Sequence, residues 1–197
     1  MVASCGSDDS DRDISDIEFS KTLLVQVRHI RHSSMVVTCN AMIVIQARKT
    51  FATDSLAKSL RRDAIAHEYN LETAAGFSTY IRGAKLTGLQ VRSAHGGPWY
   101  DLPPVLLGSH VPDSRAKRAT REVVECLPSL KHLAHLFEPE MPEAETMLLI
   151  GSNARKLMRS NSCSSVPPFA HKTPLGWALI GHVPRATIPA HCLAHSS

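Results

Sequence analysis

His132 and His135, three residues apart, could offer two imidazoles to one metal ion, and His29 and His32 repeat that spacing near the N-terminus. Neither pair has the further cysteine or carboxylate that would complete a ligand set, so no metal or other cofactor is expected. The five cysteines, at positions 5, 39, 126, 163 and 192, are scattered and form no Cys-x-x-Cys pair, which favours free thiols. Asp8, Asp9, Asp11, Asp13, Asp16 and Glu18 crowd a serine-rich start, yet no glycine sits where a calcium loop needs its sharp turn. Arg115, Lys117, Arg118 and Arg121 are the best candidates for phosphate contacts with a nucleic acid. No aromatic side chains interleave with them to stack on bases, so a solvated helix face is the competing reading. Gly-x-Ser-x-Gly, a phosphate-cradling glycine loop and His-Glu-x-x-His are all absent. Cys/His catalysis would require a juxtaposition that only the fold could create.

The elements that must position any such group read mostly as short strands. Met147-Leu148-Leu149-Ile150 is an apolar run stopped by Gly151, which suits a strand covered on both faces, and Phe169–Gly181 reads as a second buried strand. Asn153–Met158 has helix formers, with Ser152 or Asn153 placed to cap a first turn. Earlier, Thr22–Arg28 and Met35–Ile45 are β-like runs joined by a basic, hairpin-sized link. Phe51–Leu60 changes to helical spacing, with Thr53 or Asp54 as its cap. Leu71–Ala74, a turn at Gly76, Tyr80-Ile81 and Lys85–Ser93 return to strands. Ala94–Gly97 is a hairpin turn, and Pro103-Pro104 restricts Trp99–Leu107 to an edge or an exit from a sheet. Pro112–Pro128 is a helical interlude whose Ala119, Val123, Val124 and Leu127 face the core, and Ser160–Pro168 is a surface loop.

The chain has 197 residues and a net charge of +4, enough for one domain with tails: an acidic, disordered segment at 1–18, a folded part at 19–183 and a frayed end at 184–197. Twelve prolines and many short Val/Ile/Leu runs favour a mainly β fold. No eighteen-residue apolar run could span a membrane, and the first residues lack a secretory pattern, so an intracellular, cytoplasmic location is expected.

Five fragments occur in an order that resembles the aspartic-peptidase domain of BEL/Pao-type LTR retrotransposon polyproteins: Tyr69–Gly76, Lys85–Val91, Asp101–Val105, Leu148–Gly151 and Pro168–Trp177. The match covers about residues 40 to 183. It implies a retropepsin-like closed β-barrel with two or three short helices, cut from a polyprotein, with peptide-bond hydrolysis as the ancestral activity and a polypeptide as substrate. Ile150, Gly151, Gly176 and Trp177 match the family's signature, while Asn153 stands where Asp is common. In that family the Ile-Gly strand braces the catalytic strand, and a homodimer supplies two carboxylates that share a proton over one water.

The motif the resemblance requires, Asp-Thr/Ser-Gly, should fall within about Ile43 to Ala47. Those positions read Ile43-Val44-Ile45-Gln46-Ala47 and hold no carboxylate. Asp54-Ser55 is the nearest substitute, but Leu56 replaces the glycine and Asp54 reads as part of a helix start. The expectation is therefore a pseudoenzyme: an aspartic-peptidase-like hydrolase fold without activity. The alternative is a non-enzymatic dimerisation or nucleic-acid-binding module.

Overall fold

The computed structural model describes residues 16–72, 78–108, 111–164 and 166–192. Among these the fold is mainly β. In chain order the elements are β1 (Asp16–Phe19), β2 (Thr22–His29), β3 (His32–Val44), β4 (Phe51–Ala52), α1 (Asp54–Ser59), β5 (Ile65–Glu72), β6 (Ser78–Leu86), β7 (Leu89–Ser93), β8 (Gly96–Asp101), β9 (Val105–Leu107), α2 (Arg121–Glu125), β10 (Thr146–Gly151), β11 (Asn161–Ser162), β12 (Phe169–Thr173) and β13 (Gly176–Pro184).

Two sheets result. The larger has the order β5-β6-β9-β4-β10-β3-β2-β7-β8, and the smaller has the order β1-β13-β12-β11. Most neighbours are antiparallel, but β10 runs parallel to β3 and β4 runs parallel to β9, with β4 and β10 antiparallel between them. Side-chain alternation explains why the middle strands are apolar throughout. Leu148 and Ile150 of β10 enter the principal core with Ala41, Ile43, Ala52, Val105 and Leu107, whereas Leu149 joins Phe51 and Leu106 on the opposite face. The Met147–Ile150 run is thus covered on both faces, as its composition implied.

The smaller sheet builds a second core. Phe19 of β1, Ala170 of β12 and Leu179 and Val183 of β13 pack with Val123 and Val124 of α2 and with Leu130, Ala134 and Phe137. β13 ties the layers together: Ala178 belongs to the principal core and its neighbour Leu179 to the second.

Neither sheet closes into a barrel. The larger one ends at β5 and β8. β8 begins with Gly96 and Gly97, both at positive φ, and Pro98 then removes a backbone donor, while the β5–β6 hairpin is exposed along most of its length. Pro103-Pro104 marks the exit from this edge strand, but Val105–Leu107 then re-enters the sheet as the fully buried β9 between β6 and β4.

Other boundaries also differ from the sequence reading. Asp16, Ile17 and Glu18, assigned to the acidic tail, join Phe19 in a strand because Phe19 reaches the second core; residues 1–15 lie outside the described residues. The stretch read as a frayed end holds structure within the described residues: β13 extends to Pro184, and Ile188 is buried between two 3-10 turns. Neither Lys85–Ser93 nor Phe169–Gly181 is a single strand: the first turns at Thr87-Gly88 between β6 and β7, which do not pair with each other but lie beside β5 and β9 and beside β2 and β8, and the second is a hairpin turning at Pro174-Leu175. Gly88 sits at φ +76 with a His29 ring atom 2.9 Å from where a Cβ would stand, so the first turn has little room for another residue. The Gly76 turn lies outside the described residues. No helix among the described residues is long and apolar enough to cross a membrane.

Two histidines contribute to the acid response of this fold. His29 is buried at the end of β2, where its Nδ1 accepts a hydrogen bond from the Arg31 N–H at 3.1 Å. Burial, with Arg62, His32 and Arg31 adding positive charge, holds its pKa below the ordinary imidazole value; burial and Lys21 do the same to His171. Both groups therefore bind protons more tightly in the unfolded chain. Their contribution to stability is complete above the unfolded value, about 6.5, and is lost as the pH falls below it. Urea midpoints should be flat from pH 8 to 7 and decline towards pH 5, with a shallower decline in His29→Gln. A midpoint that rises on acidification would contradict this.

Candidate functional site

The centre of the larger sheet hands the chain into a tight clamp. β3 ends beside β10, with Ile43 opposite Ile150 and Val44 opposite Gly151. The following turn, residues 45–50, then folds over the end of β10. Ser152 binds the Ala47 carbonyl twice, through its N–H at 2.7 Å and its Oγ at 3.0 Å. Thr50 Oγ1 accepts the Gly151 N–H at 3.2 Å and donates to Asn153 Oδ1 at 2.8 Å. Ser152 and Asn153 are thus engaged by this turn and do not cap the segment after them, where only the 3-10 turn Arg155–Leu157 forms.

Gly151 is required by space. A Cβ there would lie 2.2 Å from the Lys49 carbonyl oxygen and 2.7 Å from that of Ala47. Thr50 is buried, so replacing it by valine would strand the Gly151 N–H while preserving shape. We expect Thr50→Val to cost about 1–3 kcal/mol in urea unfolding, and an unchanged midpoint would show that the clamp adds nothing.

No carboxylate stands in this clamp. Its residues are Val44, Ile45, Gln46, Ala47, Arg48, Lys49 and Thr50 against Gly151, Ser152 and Asn153, and Ile45 is 56% exposed. Asp54 lies elsewhere, exposed in the first turn of α1. The cap of that helix is Thr53, whose hydroxyl accepts the Leu56 N–H at 3.3 Å, and Phe51-Ala52 before it is a strand rather than helix. Gly176 and Trp177 begin β13 and are remote in role from the clamp. Gly176 supplies a φ of +125 after the Pro174-Leu175 turn, and Trp177 packs on the second core with its ring 6.4 Å from that of Phe137.

The four basic candidates do not form one helix face. Arg115 and Lys117 lie in a 3-10 turn, Arg118 is extended, and Arg121 begins α2. Arg115 pairs with Asp113 at 2.7 Å and Lys117 with Glu18. Arg118 is 5% exposed, donates to the Pro139 carbonyl at 3.2 Å and lies 3.8 Å from Glu140, and Arg121 Nε donates to the Phe137 carbonyl at 3.3 Å. Each cation is thus engaged within its own chain. Ala119, Val123, Val124 and Leu127 are buried, as their spacing suggested.

His132 and His135 are exposed on a 3-10 turn, and no cluster of three or more metal-binding side chains occurs among the described residues. A pair of arginines on the large sheet forms a further polar feature, one not among the candidates above. The guanidinium carbons of Arg28 and Arg92 lie 4.0 and 4.4 Å from the centre of the Trp99 ring, and their Nε atoms donate to Gln90 and Gln26. The alternation Gln26, Arg28 and Gln90, Arg92 was the available signal for this polar face.

No protein-family model matches the chain, and no curated protein matches it.

Proposed function

We propose that this chain is a proteolytically inactive, aspartic-peptidase-like module of the kind carried in retroelement polyproteins, retropepsin-like in ancestry and used for assembly rather than cleavage. The observation that carries the reading is the clamp itself: an Ile-Gly strand end braces a turn that follows a parallel strand, and the braced turn has no carboxylate. Aspartic proteolysis needs two carboxylates, one acting as base and one as acid on the same water. If two copies met through this turn, they would bring Val44, Ile45 and Gln46 together instead, a surface able to bury apolar area but unable to move a proton.

The exposed Ile45, between the half-buried Val44 and Ala47, supports homodimerisation as the remaining use of the face. The test has two arms. Incubation with a random peptide library from pH 4 to 7 should give no pepstatin-sensitive cleavage, and sedimentation should give a dimer that Ile45→Glu converts to monomer. Cleavage abolished by Asp54→Asn would overturn the first arm, and a monomeric parent chain would overturn the second.

A further inference from the structure

Cys126 and Cys192 stand 66 residues apart in sequence, yet their sulfur atoms lie 2.9 Å apart. Cys126 is the C-cap of α2, and Cys192 closes the last 3-10 turn and packs against the second core. Both are partly accessible free thiols. The other described cysteines do not share this arrangement. Cys39 is fully buried in the principal core, where burial pushes its thiol up to about 12, and Cys163 is exposed beside the Asn161 carbonyl. We propose that Cys126 and Cys192 are an oxidative modification site, converted to an intramolecular disulfide by a low-molecular-weight disulfide such as oxidised glutathione.

The exchange is balanced. One protein thiolate attacks the oxidant's sulfur–sulfur bond and releases one glutathione; the second displaces the other glutathione as the new Sγ–Sγ bond forms. The protein loses two electrons and two thiol protons, and the oxidant leaves as two reduced thiols. The two sulfurs already lie within contact distance of each other. The bridge would close a loop containing β10, β11, β12 and β13, tying the end of the chain to α2. Burial, the neighbouring Cys126, and Glu122 and Glu125 push the Cys192 thiol up to about 11, so the reaction should be slow at neutral pH and accelerate as pH rises.

The test uses the full chain with oxidised glutathione in oxygen-free buffer. Intact mass should fall by two hydrogens, peptide mapping should join Cys126 to Cys192, and dithiothreitol should reverse both changes. Closure of so long a loop should raise Tm by about 5–10 °C over the reduced protein. Cys126→Ser and Cys192→Ser should each abolish the bridge. Because mapping is done on the unsubstituted chain, the result does not depend on either variant folding. A stable glutathione adduct on either cysteine without the cross-link, a bridge through Cys163, or no change at pH 9 would each overturn the proposal.

Discussion

Gly151→Ala should lower stability by about 3–4 kcal/mol and Tm by about 10 °C, a large effect for the addition of one methyl group. The methyl would meet backbone on two sides, the Lys49 carbonyl at 2.2 and 2.6 Å and the Ala47 oxygen at 2.7 Å. A long side chain could swing aside, but these atoms belong to the turn that Ser152 and Thr50 hold in place. Relief therefore requires withdrawing the turn, which breaks the Ser152 to Ala47 bonds and exposes the cluster of Phe51, Leu106 and Leu149. Gly83 offers the comparison: its Cβ would stand 2.8 Å from a ring carbon of Tyr69, a half-buried side chain beside Phe51, and a ring can turn where backbone cannot. Gly83→Ala should accordingly cost much less. Equal losses for the two variants, measured by urea unfolding, would remove the argument that backbone crowding makes Gly151 special.

Phe137→Ala should cost about 3–5 kcal/mol, the usual range for emptying a buried aromatic site. Phe137 is 1% exposed and is among the largest side chains of the second core, where it meets Trp177 and lies with Leu130, Val124 and Leu179. The damage should be local at first. Amide exchange should accelerate in β1, β12, β13 and α2 before it does in β2, β3 and β10, because the two cores are separate clusters joined through β13. Uniform acceleration across both sheets would mean that the layers unfold as one unit.

What the sequence disclosed follows from how local each signal is. β2, β3 and β10 were legible because their apolar runs report burial directly, and the Thr53 cap of α1 was legible because capping is a matter of three residues. The break between β6 and β7 at Thr87-Gly88 and the hairpin turn at Pro174-Leu175 were hidden, because buried residues stand on both sides of each, Leu86 and Leu89 at the first and Ala170 and Ala178 at the second. The strand character of Asp16, Ile17 and Glu18 was hidden by composition, since the acidic and serine residues around Ile17 outweighed it. Ile188 was masked in the same way by the prolines and histidines around it. The candidate site divides along the same line. Gly151 and the missing carboxylate could be read from the sequence, but the partners of Gly151 could not, because Thr50 lies 101 residues away and nothing local specifies that meeting. The basic stretch misled for a related reason. Its charges were visible, whereas Glu18, the Pro139 carbonyl and the Phe137 carbonyl that engage them were not.

The parallel pairing of β3 with β10 also has a kinetic meaning. The hairpins β2–β3, β5–β6, β7–β8 and β12–β13 can each form from neighbouring residues, but the strand at the middle of the larger sheet must wait for a partner about a hundred residues downstream. The loop-closure entropy of that meeting is lost before any of its contacts form, which places folding towards the slow, millisecond-to-second end for domains of this size. Until β10 arrives, β3 has an unpaired, apolar edge. A chain emerging from the ribosome would carry that edge exposed until β10 is made, so the stage most vulnerable to aggregation comes before residue 146 is added.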